Sequence, residues 1–165
     1  MEKTKTKWKP DDTFHDIIEG EFKGVLRVKN ALKEMKLKLG DKVVTSRDPD
    51  MMKLMEKLRR TTLPKGFQQW QLPIILGGGN RPVMSFITFG EPNAEIPNHR
   101  HKNDCLLRIV LTGSITYKEQ ELISGDWMYV PTGLPYAFKA GKLGCVIMHL
   151  YNGTGLYKGS LPDEL

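Results

Sequence analysis

A chain of 165 residues with 39% hydrophobic content is long enough to bury one real core, so no disulfide scaffold is needed. Cys105 and Cys145, the two cysteines, stand outside any CxxC spacing, which argues against a zinc knuckle or a secreted disulfide framework and for reduced thiols. The net charge of +6 is all N-terminal: residues 1–70 hold 17 of the 25 Lys and Arg against 11 of the 19 Asp and Glu, and the remainder balances.

That basic surplus is spread over a helical face with acids between the lysines and without aromatic platforms, so it reads as a solvated face and not as a nucleic-acid arm. Basic residues open the chain without an apolar stretch behind them, and no run of about 18 apolar residues occurs. A cytoplasmic protein with no membrane partner is the expectation.

In chain order, Met1 to Pro10 is polar, with Trp8 as its one anchor. Asp11 to Asp16 reads as a helix start, with His15 exposed, because Asp or Thr can cap free amides and acids favour the positive end of the helix dipole. From Phe22 to Leu39 apolar residues recur at three-to-four spacing, and Gly40 is expected to end that helix. Val43 to Thr45 is short and β-branched. Asp48-Pro49-Asp50 then caps a second amphipathic helix, Met51 to Arg60, which Leu63 to Gly66 closes.

From Gln69 onward the pattern changes to short runs rich in β-branched and aromatic residues: 71–76, 83–89, 105–111, 114–117, 127–130, 136–139 and 145–151. Such strands predict a sandwich or barrel. The boundary falls between a helical N-terminal extension, 1–69, packed on the barrel, and a β domain, 70–165. Gly77 to Asn80 is a flexible turn; no GK[ST] follows it, so it is not a phosphate loop.

Two histidines, His99 and His101, stand with one residue between them, so on a strand both imidazoles face one point, a two-point grip for a metal. With Gly113 downstream, this stretch resembles the first motif of the cupin superfamily, which runs His, any residue, His, three or four residues, Glu, six residues, Gly. Gly125 to Tyr136 resembles the second, with Gly125, Pro131 and Gly133 in register. The resemblance covers roughly residues 70–152. It implies a mainly β fold, a cupin-like jelly-roll barrel, and in the family three histidines and a glutamate hold a divalent ion, usually Fe, Mn, Ni or Zn.

The chain departs from that pattern where the ligands stand. Leu106 or Cys105, depending on the count, occupies the glutamate position, Tyr136 the second-motif histidine, and Asn93 the opening glycine. Only His99 and His101 carry over, and stable sites need three or four protein ligands. His149 is the expected third ligand, from a late strand, with Cys105 as a possible thiolate and Tyr136 as phenolate, proton donor or substrate anchor. Asp104 is close in sequence but reads as a solvated turn acid.

Arg108 depends on strand register. With Leu106, Arg108 and Val110 inward, a guanidinium enters the barrel and requires an anionic ligand or a carboxylate, and four apolar side chains are left outside for the helices or a second subunit to cover. With Cys105, Leu107, Ile109 and Leu111 inward, Arg108 is a surface residue and the inner face is wholly apolar, which slightly favours that register.

The expected function is a small-molecule enzyme of the cupin type with a divalent metal on His99, His101 and His149, and with Cys105, Arg108 and Tyr136 toward substrate; its reaction stays open among oxygenase, isomerase, cyclase, decarboxylase and lyase. The alternatives are a metal-free cupin that binds or senses a small polar ligand, and an accessory protein docking a partner through its basic helices. The resemblance also implies a homodimer, because cupins commonly pair through sheet faces.

Overall fold

The computed structural model describes Trp8, Phe14, residues 16–18, 20–77, 82–101 and 104–153. The expectations for His15, for most of Met1 to Pro10 and for most of the Gly77 to Asn80 turn lie outside these. The elements in order are β1 (Ile17–Ile18), β2 (Glu21–Phe22), α1 (Lys23–Glu34), α2 (Pro49–Lys57), β3 (Arg59–Arg60), β4 (Phe67–Leu76), β5 (Val83–Gly90), β6 (Glu95–His99), β7 (Asp104–Tyr117), β8 (Gln120–Ile123), β9 (Trp127–Val130) and β10 (Tyr136–Gly153).

Two long strands organise the barrel. The second half of β10 pairs with β5 on one side and with the first half of β7 on the other, and that half of β7 also pairs with β9. The first half of β10 pairs with β6 and with the second half of β7, which continues to β8. Two sheets therefore share β7 and β10: β3-β4-β5-β10-β7-β9 and β6-β10-β7-β8. This mainly β, antiparallel jelly roll with a small helical N-terminal part is the expected cupin-like fold.

The sequence pattern splits each long strand in two because of the glycines at the fold. Gly113 has φ 71°, and a Cβ there would stand 2.1 Å from the carbonyl oxygen of Gly144. Gly144 has φ 78°, and its Cβ would stand 2.5 Å from the Gly90 carbonyl oxygen. Only glycine supplies both the left-handed backbone and the close approach. The pairing of β7 with β10 shifts register across this corner, which carries the strands from one sheet to the other.

Inward residues alternate along every strand. Phe67 on β4, Met84 and Phe86 on β5, Leu106 and Val110 on β7, and Ile147 and Tyr151 on β10 form one buried core between the sheets. Each such side chain contributes about 1.5–3 kcal/mol by leaving water. A second cluster, Val28, Ala31, Met51, Leu54 and Leu58, joins α1 to α2, and Ile75 on β4 packs against it. Gln71 ties this layer to the barrel: its Nε2 donates to the Gly24 carbonyl at 2.9 Å, and its Oε1 accepts from Arg27 at 3.3 Å.

Both helices are shorter than their apolar spacing predicts. Residues 17–18 and 21–22 form a two-stranded hairpin, so α1 starts at Lys23 and not near Asp16. It stops at Glu34, before Gly40, because Lys36 turns left-handed at φ 55° and the Leu37 N–H reaches back to the Leu32 carbonyl at 2.9 Å, the six-to-one bond of a Schellman cap. Leu37 and Leu39 still pack on the helical cluster from an irregular segment. α2 begins at Pro49; the Asp48 carboxylate accepts from the Thr45 N–H at 2.9 Å instead of capping the helix. No described helix is long and apolar enough to cross a membrane.

Candidate functional site

Two cross-strand pairs bring the candidate residues together. His99, the last residue of β6, lies opposite Tyr136, the first of β10, in one sheet. Arg108 on β7 lies opposite His149 on β10 in the other. Directly opposed residues have Cβ atoms about 5 Å apart on the same face. His101 follows β6, and the Gly133 N–H of the second motif donates to its carbonyl at 2.8 Å, so that motif's turn braces the first.

Three side chains meet at the Tyr136 hydroxyl. His99 Nε2 is 2.9 Å from it, His101 Nε2 is 3.0 Å from it, and Arg108 Nη2 donates to it. The tautomer of His99 follows from its other side: Nδ1 sits 2.8 Å from the Pro97 carbonyl, which can only accept, so Nδ1 carries the hydrogen. In the neutral ring Nε2 then accepts the phenolic hydrogen. The Tyr136 oxygen keeps two lone pairs, one for Arg108 and one for a His101 N–H. All three contacts are thus compatible at once.

Arg108 points into the barrel, 3% exposed, so the register with Leu106, Arg108 and Val110 inward is the one adopted, against the slight preference for the other. The guanidinium lies 5.0 Å from the Tyr136 ring centroid and 4.5 Å from that of Phe138, stacked where rings can favour a cation. His149 is 2% exposed and nearly parallel to Tyr151, and its pKa is held well below 6.5 by burial first, then by Arg108, His101 and Arg60. His99, His101, Arg108 and His149 line a cavity of about 30 Å³ between the sheets, together with Gln69 and Thr88, whose side chains are bonded to each other at 2.7 Å. Trp8 also lines it, edge-on to His99 at 5.0 Å, with its indole N–H donating to the Thr62 carbonyl at 3.2 Å.

Cys105 is not part of this assembly. Its thiol donates to the Asn152 carbonyl at 3.5 Å, it is buried, and it does not line the cavity, because the alternation that turns Leu106 and Arg108 inward turns Cys105 the other way. Asp104 is 1% exposed at the start of β7, not a solvated turn acid. Thr88 lay in a strand read as ordinary β, Gln69 just before the first expected strand, and Arg60 at the end of the expected second helix, where β3 stands instead, so none of the three carried a signal of the site.

The donor set does not fit a resident divalent ion. Among the described residues, no three His, Cys, Asp or Glu side chains stand together at metal-binding spacing. The point toward which His99 and His101 converge is filled by a phenolic oxygen, and a guanidinium shares it. A +1 and a +2 charge about 5 Å apart repel by roughly 7 kcal/mol even at an effective dielectric near 20. His149 shares the cavity, but no described residue lining it supplies a carboxylate to offset that repulsion.

The fold is the mainly β jelly roll that the motif resemblance implies. No protein-family model matches the chain, and no curated protein does. Solved structures match in shape. A cupin described as RmlC-like from Shewanella frigidimarina is 14% identical, with a TM-score of 0.45, covering 60% of this chain and 96% of that one. A chain in the structure of Rhodobacter sphaeroides SigE with the anti-sigma ChrR is 20% identical, TM-score 0.47, covering 74% and 65%. Bacillus subtilis oxalate decarboxylase, described with Mn(II) centres, is 19% identical, TM-score 0.46, covering 62% and 29%.

Proposed function

We propose that this protein is a metal-independent cupin that binds a small polar molecule between its two sheets, with Tyr136 as the hub that replaces a metal. The observation that carries this reading is the convergence of His99, His101 and Arg108 on one phenolic oxygen. A tyrosine in the second-motif histidine position extends further than an imidazole, so its hydroxyl reaches the place where the histidine pair aims. The competing reading, an enzyme with Fe, Mn, Ni or Zn on His99, His101 and His149, requires Tyr136 to swing away and Arg108 to find a carboxylate.

Calorimetric titration of chelator-stripped protein with Mn(II), Fe(II), Ni(II) and Zn(II) separates the two. The expected result is no saturable one-to-one site in the wild type, and a gained Zn(II) site in Tyr136→His, where a third imidazole meets the pair. Micromolar binding by the wild type that disappears in His101→Ala overturns the proposal.

We also propose a homodimer through the outer face of the larger sheet. With Arg108 inward, Trp127, Ile109, Met148, Ile87 and Trp70 form one row across five strands, each opposite the next. Trp127 is 65% and Leu111 45% exposed, and α1 and α2 cluster around Ile75, elsewhere on the barrel. The helices therefore leave this face uncovered, and a second copy brings a matching apolar face to it.

A further inference from the structure

We propose that the cavity between the two sheets binds one small carboxylate, held by Arg108 of β7 and His149 of β10; this rests on the metal-free reading above and names the ligand class of the same site. The two side chains are directly opposed across the strands and both point inward. Among the described residues, Arg108 Nε and both ring nitrogens of His149 have no hydrogen-bond partner. Buried polar atoms of native proteins are almost always satisfied, so three such atoms on two residues lining one cavity mark the place of something the described residues do not provide.

Charge decides what that is. The guanidinium's contacts are a hydroxyl and two aromatic rings, all neutral. Among the described residues none lining the cavity is acidic, and Arg60 lines it as well. Asp104, the acid on the same face of β7, lies four residues along the strand, about 13 Å away. A water molecule would satisfy hydrogen bonds but leave the cation uncompensated, and an uncompensated buried charge costs several kcal/mol. An anion answers both needs.

Shape narrows the anion. A cavity of about 30 Å³ admits something near the size of water, formate or a carboxylate head. A carboxylate has two oxygens in one plane. One can accept from Arg108 Nε–H, along the guanidinium edge not engaged with Tyr136, and the other from an N–H of His149. His149 serves here as a neutral donor, so no proton needs to enter with the ligand.

The test is thermal unfolding of the full-length protein in a buffer whose only anions are bulky sulfonates, titrated with formate, acetate, butyrate and chloride at constant ionic strength. Formate and acetate are expected to raise the melting temperature saturably, by a few degrees at about 100 times the dissociation constant. Chloride should do less. Butyrate failing where acetate succeeds identifies a free small acid; butyrate matching it identifies the carboxylate head of a longer molecule. Arg108→Met should abolish the response, and His149→Phe should weaken apparent affinity by about tenfold, the loss of one charge-assisted contact. No anion response in the wild type, an equal response to chloride, or an undiminished response in His149→Phe overturns the inference. Tight metal binding in the calorimetric titration would instead overturn the metal-free reading itself.

Discussion

Removing a single oxygen tests whether Tyr136 holds the site together. In Tyr136→Phe the ring, its place opposite His99 and its contact with Arg108 all remain, while three hydrogen bonds lose their common partner. Two of these join neutral groups and one a guanidinium. Leaving a buried polar group unpaired costs about 1–3 kcal/mol, more for a charge, and a water entering the enlarged cavity returns part of it. The expected net loss is about 3 kcal/mol. For a chain of 165 residues each kcal/mol moves the melting temperature by about 2–4 °C, so the variant should melt about 6–12 °C lower. Urea unfolding monitored by circular dichroism measures it, with Tyr117→Phe as a control expected to fall within about 0.5 kcal/mol of wild type. A Tyr136→Phe loss no larger than the control's would refute the hub.

Other consequences concern the barrel's corner, its pH response and its outer face. Gly113→Ala meets backbone atoms of Gly144 and an unfavourable φ, so it should cost about 3 kcal/mol or more and yield a largely insoluble product, read from soluble yield and urea midpoint. His149 has a folded-state pKa well below 6.5, so below pH 6.5 the unfolded chain takes up a proton that the folded chain refuses. Its influence is absent above that pH, and stability falls as pH drops through 6.5, by up to about 1.4 kcal/mol per unit. His149→Phe should flatten that limb in melts from pH 7 to 5. Trp127→Lys with Leu111→Lys should convert a dimer to a monomer in light scattering without changing circular dichroism; a wild type already monomeric would refute the paired face.

The fold was legible because glycines, prolines and the histidine pair recur where a jelly roll needs turns and inward-facing side chains. What alternation could not decide was register on β7, since Leu106, Val110, Leu107, Ile109 and Leu111 make both faces apolar, and only Arg108 differs. A burial cost argues for putting such a residue outside; the aromatic rings and hydroxyl that receive it inside come from β10, almost thirty residues away, and nothing local announces them. The same holds for Tyr136. Its position marked it as a substitute for a ligand, yet whether its hydroxyl lines a metal or takes the metal's place depends on the distance between two sheets. β6 was missed as a strand because Pro97 interrupts it, which an edge position tolerates. The helical periodicity ran past Glu34 because the apolar spacing serves the cluster with α2 even after the backbone turns away.

The most direct test of the central claim is a crystal structure grown in the presence of Zn(II) or Mn(II), with anomalous data collected at the metal's absorption edge. The account predicts the Tyr136 oxygen within hydrogen-bonding distance of both His99 Nε2 and His101 Nε2, and no anomalous peak between them. A peak on the two imidazoles, with the Tyr136 side chain turned away from Arg108, would contradict it.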